Sequence, residues 1–582
     1  MFESARIQTL WELVDYRARA SYGAPMFFDG DGRRVTFDEV RDEALRAAAG
    51  FRELGIGAGT RVAWQLPTRI ETVIASLALA RLGAVQIPVI PLHREREVGF
   101  ILADSAAEYL LVPGRWRGFD YTAMAHEVAG DGVRVVSTAD GLPAAGARGG
   151  ATGGREADGE GAAAGGTGTG IKHGGTGEGR GADATGGRSA DAEGTGGDGP
   201  GAGTAADGTA PGERHGGTGE GRGADATAWI YYTSGTTAVP KGVEHTDAGL
   251  IAGGVGLATA LGMGAHDIGS IAFPYAHIAG PDYVIAMLVS GFPAVVLDTF
   301  RPAEAAAVYR RHGVTMAGGS TAFYQAFLDE SRRHRRADPA AGLLIPSLRL
   351  LSGGGAPLPP ELYAAAGREL ECAIVHGYGM TESPMIAMGT PYDSDEQLSR
   401  TVGRPVAGAR VRIARPDGSE AATGEPGEVT LKGTMLFRRY TDPALTAEAF
   451  DADGYFHTGD LGLLRPDGHL VLTGRLKDII IRKGENISAQ EVEELLHTHP
   501  AVAEAAVIGL PDRERGERVC AVVTLTDPAA PAPTLATLTA HLRAAGLMTQ
   551  KLPEQLEVTD ALPRGGPLHK VLKAALRERY GR

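Results

Sequence analysis

The chain has 582 residues, too many for one small core, so two or more domains are expected. Hydrophobic residues make up 43% and charged residues 22%, as is typical of a soluble globular enzyme. A formal charge of −14 argues against general binding to nucleic acids or anionic membranes, although one local basic site is enough to bind a nucleotide.

The sequence predicts neither secretion nor membrane insertion. The N-terminal stretch is amphipathic and lacks the long apolar core of a secretory signal. The longest apolar run, Tyr283–Leu297, contains Gly291 and Pro293 and is too short to cross a bilayer. Cys372 and Cys520 have no metal-binding spacing and are expected to be buried thiols in a reducing compartment. We therefore expect a cytoplasmic protein, with its oligomeric state left open.

The first part of the chain alternates helical and strand patterns. Thr36, followed three residues later by Glu39, predicts the start of a helix that runs to about Leu54. Strands are predicted at 61–66 and 84–90, on either side of a helix at 68–82. This alternation is typical of α/β sheets with parallel strands.

A segment at about 138–227 departs from this pattern. It consists mainly of Gly, Ala, Thr, Asp, Glu and Arg, and it repeats one 13-residue sequence at His173–Thr185 and His215–Thr227. It contains too few large apolar residues to offset the entropy cost of ordering the chain. We interpret it as a disordered insertion, with the repeat reflecting a duplication in the coding sequence.

The next stretch predicts a phosphate-binding loop. Trp229–Thr233 has the aromatic and β-branched composition of a buried strand, and Ser234–Gly242 follows with glycines, hydroxyls and one lysine. Glycines let successive amide hydrogens point at a ligand, and the hydroxyls and the lysine donate to oxygen anions. The spacing differs from that of the common P-loop. The structural alternative is an ordinary polar turn.

Four more segments after the loop carry unusual residue patterns. The α/β pattern resumes, with helices predicted at 283–290 and 302–312 and strands at 294–297, 314–317 and 348–352. Short strands from 402 to 433 indicate a small β subdomain, and residues 477–582 form their own α+β pattern. The four segments are Gly377–Ser383, Tyr455–Gly462, Gly474–Ser488 and Pro563–Lys573.

The loop at 234–242 resembles the phosphate-binding signature of the adenylate-forming superfamily, which includes acyl-CoA synthetases, stand-alone adenylation enzymes and luciferases. The usual signature has glycine where this chain has Ala238. The resemblance implies an α/β fold: a large N-terminal domain of parallel α/β sheets with a small β subdomain, and a small mobile α+β C-terminal domain. The expected domains are 1–476 and 477–582.

The resemblance also implies roles for individual residues. Tyr378 would stack on adenine, Thr381 would contact the α-phosphate, and Asp460 would accept hydrogen bonds from both ribose hydroxyls. Glu382 and Thr236 would hold Mg²⁺, a cation that prefers oxygen ligands. The implied ATP-binding set is Thr233, Ser234, Gly235, Thr236, Thr237, Lys241, Gly354, Gly355, Ala356, Tyr378, Gly379, Thr381, Asp460 and Arg475.

The C-terminal segments resemble the family's moving parts. Lys477 falls at the hinge position, and Lys483 and Gly484 match the loop that admits coenzyme A. Lys570 is the expected adenylation lysine, although His569 stands where the family has glycine and the segment is one residue longer than usual. Lys573 is the fallback, and a basic surface helix is the structural alternative.

The acyl pocket is expected near His277, Ile278 and Gly319. Amino-acid-activating relatives keep an aspartate, and hydroxybenzoate-activating relatives an asparagine, where this chain has Ile278. Small and aliphatic residues therefore favour a hydrophobic acid, either fatty or alicyclic. His277 either gates the acyl tunnel or is a core histidine.

The implied reaction has two steps and uses ATP, Mg²⁺ and coenzyme A. With Thr236, Glu382 and Lys570 as the catalytic groups, a carboxylic acid is joined to AMP with release of pyrophosphate, and a thiol then displaces AMP. The leading hypothesis is an acyl-CoA ligase. Its rivals are an enzyme that loads an acyl carrier protein, an adenylate-binding pseudoenzyme with a scaffold role, and an oxidoreductase of the luciferase kind.

Overall fold

The helices of the computed structural model follow from local sequence signals. The model describes residues 7–145, 225–233, 240–483, 485–565 and 570–581. In these ranges, helices α1 to α15 are Leu10–Ala20, Phe37–Glu53, Ile70–Leu82, Glu95–Asp104, Tyr121–Val128, Asp247–Ala260, Ala279–Ser290, Pro302–His312, Thr321–Ala337, Pro360–Leu370, Asp395–Arg400, Pro443–Ala449, Ala489–His497, Leu535–Ala544 and Lys573–Tyr580.

The capping signal predicted at Thr36 is confirmed. The Thr36 hydroxyl accepts a hydrogen bond from the Glu39 amide at 3.3 Å, and the Glu39 carboxylate accepts one from the Thr36 amide at 2.8 Å. Two amides that the first turn would otherwise leave unpaired are satisfied in this way. Helix α2 therefore begins where the sequence predicts.

Strands β1 to β29 in the same ranges are, in chain order, Pro25–Asp29, Arg34–Thr36, Arg61–Trp64, Val85–Pro88, Tyr109–Val112, Arg115–Trp116, Phe119–Asp120, Arg134–Ser137, Trp229–Thr233, Lys241–His245, Gly269–Ile271, Ala294–Val296, Met316–Gly319, Leu350–Gly354, Ala373–Met380, Ser383–Met388, Arg404–Pro405, Ala409–Ala414, Gly427–Gly433, Arg439–Tyr440, Phe456–Leu464, Leu470–Arg475, Ile479–Arg482, Glu485–Ser488, Val502–Asp512, Gly516–Leu525, Gln555–Val558, Arg564–Gly565 and Lys570–Val571.

Two mixed sheets dominate the large N-terminal part. A seven-stranded sheet has the order β20-β10-β9-β4-β3-β5-β8, with parallel pairing from β9 to β8. A five-stranded sheet has the order β13-β14-β15-β16-β17, of which the first three strands are parallel. Helices α2, α3, α6 and α7 contribute buried apolar side chains to the main core. The predicted α/β class with parallel sheets is confirmed.

The small β subdomain extends further along the chain than the pattern at 402–433 indicates. Its antiparallel sheet has the order β18-β19-β21-β22, so half of its strands come from residues 456–475. The chain's C-terminal part adds a separate antiparallel sheet, β24-β23-β26-β25, with β27 parallel to β26. Apolar side chains from Ile480, Val492, Val507 and Val523 form the core of that part.

The predicted insertion lies largely outside the described residues, as does the central part of the phosphate loop, 234–239. Both edges of the insertion, 138–145 and 225–227, are described. The hinge boundary at 476/477 remains a prediction. None of the helices in the described ranges has both the length and the apolar character needed to span a membrane.

Candidate active site

Strands β9 and β10 form an antiparallel pair that flanks the predicted phosphate loop. Thr233 lies opposite Lys241, and both are partly exposed. The Tyr232 hydroxyl donates to Asp104 Oδ2 at 2.7 Å, and the Thr441 hydroxyl donates to the same oxygen at 3.0 Å. The base of the loop is thus tied to helix α4 and to the chain after β20. Ser234, Gly235, Thr236 and Thr237 lie outside the described residues.

Thr381 and Glu382 form the two-residue turn between β15 and β16. The Tyr440 hydroxyl donates to Glu382 Oε1 at 2.8 Å, and Lys241 Nζ lies 5.2 Å from the centre of the Tyr440 ring. Burial raises the pKa of the Glu382 carboxyl, while Tyr440 and the positive charge of Lys241 lower it.

The same turn is also fixed by His245, the last residue of β10. Its Nε2 lies 2.7 Å from the Thr381 carbonyl oxygen, and the side chain is fully buried. Phe437 completes the fixation, because its amide donates to the Glu382 carbonyl at 2.7 Å. Neither backbone carbonyl of the turn is left free.

Asp460 links three of the predicted motif segments, because it lies in one of them and hydrogen-bonds a residue from each of the other two. It lies opposite Arg475 in the β21–β22 pair, and Arg475 Nε donates to its Oδ1 at 2.7 Å. The Tyr378 hydroxyl donates to its Oδ2 at 2.6 Å. Asp460 is only 3% exposed and Tyr378 only 6%, so in this structure the tyrosine positions the carboxylate more than it presents an open ring face.

The glycine-rich end of β14 lies beside this centre. Gly354 pairs with Gly377 of β15, and Gly355 has φ +81°, a backbone conformation that favours glycine. His376 lies on β15, where burial lowers its pKa to about 4 and the Ala356 backbone acts in the opposite direction. At Gly379, an added Cβ would lie 2.2 Å from the Pro384 carbonyl oxygen. Gly379 therefore serves the contact between β15 and β16.

Lys570 lies on the short strand β29, and the charges of this centre affect its pKa. Desolvation lowers the pKa of its ammonium to about 8; Arg475 and Lys477 act in the same direction, and Asp460 and Glu382 oppose it. The fallback residue, Lys573, makes an ion pair with Glu493 at 2.7 Å.

The predicted acyl pocket lies on another side of Thr381. His277 and Ile278 line a crevice together with Thr381, and its remaining lining is Pro88, Ile90, His93, Ile101, Tyr231, Tyr232 and Ala276. Burial and the charge of Lys570 lower the pKa of His277 to about 4. The Ala279 amide donates to His277 Nδ1 at 3.2 Å, so the neutral ring carries its proton on Nε2.

Gly319 lies at the end of β13 rather than in this crevice. An added Cβ there would lie 3.0 Å from the Phe323 ring. The Phe300 and Phe323 rings are 4.2 Å apart between centroids. The third predicted pocket residue is therefore associated with an aromatic pair.

The predicted hinge and acceptor loop lie in the C-terminal part. Lys477 is exposed within a 3₁₀ turn, Leu476–Asp478, and the Asp478 carboxylate pairs with Arg577 at 3.1 Å. Lys483 has φ +51° in the turn between β23 and β24, a conformation uncommon for a side-chain-bearing residue. Gly484 lies outside the described residues.

The arrangement around Glu382 fits a magnesium ion bound together with a nucleotide. Within the described ranges, no group of three His, Cys, Asp or Glu side chains could hold a metal by itself. Mg²⁺ in nucleotide sites commonly takes one or two protein carboxylates and obtains its other ligands from phosphates and water. Glu382 could supply one such carboxylate, because the desolvation that raises its pKa is a cost that a bound cation would relieve.

Two family models match the chain. A model described as AMP-binding enzyme matches residues 14–441, and one described as AMP-binding enzyme C-terminal domain matches residues 491–566.

Two curated relatives cover nearly the whole chain. A salicyl-AMP ligase / salicyl-S-ArCP synthetase of Mycobacterium tuberculosis is 31% identical over 94% of this chain and 86% of its own length. A 2-hydroxy-7-methoxy-5-methyl-1-naphthoate–CoA ligase of Streptomyces carzinostaticus is 31% identical over 94% of this chain and 89% of its own.

Solved structures agree with these matches. ATP-bound MatB from Rhodopseudomonas palustris has a TM-score of 0.77 at 25% identity, covering 98% of this chain and 99% of that one. The o-succinylbenzoate coenzyme A synthetase MenE from Bacillus subtilis, in complex with ATP and a magnesium ion, has a TM-score of 0.73 at 25% identity, covering 97% and 99%. The chain belongs to the AMP-binding enzyme family.

Proposed function

We propose that the protein is an ATP-dependent acid–thiol ligase that adenylates a hydrophobic carboxylic acid and transfers the acyl group to coenzyme A. The main support for this proposal is a centre of charged side chains. Asp460 accepts hydrogen bonds from Tyr378 and Arg475, and the charges of Asp460 and Glu382 affect the pKa of Lys570. The parts of this centre come from separate motifs, and together they provide acceptors for ribose hydroxyls and cations for phosphate.

In the first step, the acid's carboxylate oxygen bonds to the α-phosphorus of ATP, and the bond to the bridging oxygen breaks to release pyrophosphate. Lys570 would stabilise the negative charge that develops on the phosphate and acyl oxygens. Thr381 and Lys241 would orient the phosphates, and Asp460 the ribose. Mg²⁺ held by Glu382 would supply further neutralisation of phosphate charge.

In the second step, a thiol sulfur bonds to the acyl carbon, and AMP leaves as its phosphate oxygen takes the bonding electrons. We propose that residues 477–582 rotate about Lys477 to exchange Lys570 for the turn containing Lys483 and Gly484. One site can serve two reactions in this way. This rotation is the reason to place the domain boundary at 476/477.

The acid class follows from the crevice. Its aliphatic residues Ile90, Ile101 and Ile278 offer apolar contact, and among the described residues no charged carboxylate or guanidinium lines it. The two curated relatives named above act on salicylate and on a naphthoate, according to their names. We therefore propose aromatic acids as candidates beside the fatty and alicyclic acids that the sequence suggests.

The thiol acceptor has a second candidate. The Mycobacterium relative is named as a synthetase for a carrier-protein thioester, whereas the Streptomyces relative is named as a CoA ligase. A carrier-protein phosphopantetheine is therefore the alternative acceptor.

The test is a panel of aromatic, alicyclic and fatty acids, read by ATP-dependent pyrophosphate release with and without coenzyme A. We expect release with at least one hydrophobic acid and formation of its CoA thioester. Adenylation without a CoA thioester, but with acyl transfer to a purified carrier protein, would select the alternative acceptor. No release with any acid, despite ATP binding by calorimetry, would favour the pseudoenzyme.

A further inference from the structure

His245 is a buried histidine that none of the expected roles uses. It is the last residue of β10, the strand that begins with Lys241. Its side chain is fully buried, and its ring contacts the Tyr231 ring edge-on at 6.1 Å between centroids. Its Nε2 lies 2.7 Å from the Thr381 carbonyl oxygen, 136 residues further along the chain.

The direction of this hydrogen bond follows from chemistry. Burial lowers the pKa of His245 to about 4, so the ring is neutral and carries one proton at physiological pH. A carbonyl oxygen only accepts, so the proton must be on Nε2, which donates to Thr381. Nδ1 is then an acceptor, and it has no hydrogen-bond partner among the described residues.

Two of the hydrogen bonds that fix the Thr381–Glu382 turn come from β10 or from the strand paired with it. His245 itself lies on β10 and holds the Thr381 carbonyl. Tyr440, which holds the Glu382 carboxylate, lies opposite Val243 of β10 in the β10–β20 pair. Because β10 also carries Lys241, one strand sets the distances between a phosphate-facing cation, Thr381 and Glu382.

We propose that His245 is a positioning residue for adenylation, which fixes Thr381 and Glu382 relative to Lys241 by donating Nε2–H to the Thr381 carbonyl. This inference rests on the proposed function. Catalysis by oriented groups is sensitive to small displacements, and a shift of about 1 Å can cost on the order of a hundredfold in rate.

The test compares two substitutions of nearly equal size, His245→Gln and His245→Met. The glutamine amide nitrogen can take the place of Nε2 and donate, whereas the methionine sulfur cannot. The measurements are kcat and KM for ATP in pyrophosphate release, the Mg²⁺ dependence, and the thermal midpoint. Tyr109→Phe is the matched control, because it also removes one side-chain donor to a carbonyl, Leu54 at 2.7 Å, away from the site.

We expect His245→Met to lose kcat by roughly 10- to 100-fold, with a higher Mg²⁺ requirement, and His245→Gln to retain most of the activity. Tyr109→Phe should keep wild-type kinetics. The pH profile between 6 and 9 should keep its shape in every variant, since His245 is neutral throughout. A merely structural role would lower the thermal midpoint without separating glutamine from methionine in kcat.

The inference is overturned if folded His245→Met keeps wild-type kcat, or if folded His245→Gln is as impaired as His245→Met. If His245→Met does not fold, His245→Asn takes its place: its shorter amide cannot reach Thr381, so wild-type kcat there would also overturn the inference. Failure of the proposed function looks different, because wild-type protein would then release no pyrophosphate with any acid.

Discussion

Lys570 and Lys573 are three residues apart, yet their surroundings differ. The Lys570 ammonium is partly desolvated and lies near the charges of Arg475, Asp460 and Glu382, whereas Lys573 pairs with Glu493, whose carboxyl is largely buried. Because Lys573 is neutralised locally, Lys570 is the better candidate for the adenylation lysine.

Replacing Lys570 with alanine should separate the two steps. We expect Lys570→Ala to slow adenylation by roughly 100-fold, because a cation at the developing charge is lost. Thioester formation from supplied acyl-adenylate should change little. Pyrophosphate release and thioester formation measure the two steps independently. Equal losses in both would contradict the assignment, and Lys551→Ala, which removes a lysine paired with Glu491, is the control.

The pKa of Lys570 predicts a pH dependence. Its ammonium carries charge below the folded pKa of about 8 and loses it above. We therefore expect kcat/KM for adenylation to fall as pH rises through about 8, because this parameter reports the free enzyme. In Lys570→Arg the guanidinium stays charged, so that descending limb should be absent. An unchanged limb in the arginine variant would assign it to another group.

Sequence motifs identify the charged groups of the site but not the residues that hold them. Tyr378, Asp460 and Arg475 each lie in a recognisable segment, and the structure brings Tyr378 and Arg475 within hydrogen-bonding distance of Asp460. Tyr440 and His245 carry no such signal. Each acts through one hydrogen bond to a distant residue, and local patterns contain no information about that partner.

At the scale of elements, the β15–β16 pair shows that close packing of two strands is enough to require a glycine. The register of this pair shifts between Tyr378 and Met380, next to the turn that carries Glu382. Gly379 allows the backbone of Pro384 to come close. The geometry of the turn therefore depends on a residue without a side chain.

Substituting Gly379 with alanine should lower stability and activity together. The added Cβ would lie 2.2 Å from the Pro384 carbonyl oxygen, so the two strands must separate. We expect a loss of about 1–3 kcal/mol in unfolding free energy, measured by denaturant titration, and slower pyrophosphate release. Gly57→Ala is the control, since its Cβ would meet nothing within 4 Å. An equally stable Gly379→Ala would contradict this packing argument.

Element types were predictable where a local signal exists, while boundaries and pairing were less so. Helix α8, Pro302–His312, matches the sequence prediction of 302–312, and a proline stands in its first turn. Strand β13 is Met316–Gly319 instead of 314–317, because Gly318 approaches Ser352 too closely for any side chain. Glycine composition disfavours a strand, and only the tertiary contact explains it.

At the scale of the whole molecule, the residues at both ends of the segment inserted before β9 make contacts with the folded part of the chain. A Cβ at Gly50 would lie 2.4 Å from the backbone of Pro143, and the Thr227 hydroxyl donates to Glu244 at 2.5 Å. A deletion should therefore spare both edges.

Replacing residues 146–224 with a short Gly/Ser linker should leave adenylation within about twofold of the intact chain, because surface insertions are tolerated when the flanking contacts remain. The measurement is kcat/KM for pyrophosphate release. A second deletion that also removes 140–145 and 225–227 should be less stable. Loss of activity in the first deletion, with an unchanged thermal midpoint, would indicate a functional insertion.

The environment of Lys570 has one more chemical consequence. At pH 7 an amine with a pKa of about 8 is roughly one-tenth unprotonated, against about one part in three thousand for an ordinary lysine. We therefore expect Lys570 to act as a nucleophile as well as a cation, and amine-directed reagents to label it ahead of the other lysines. The burial that lowers this pKa would also make the uncharged amine a target for reactive acyl compounds, including those that such an enzyme would itself produce.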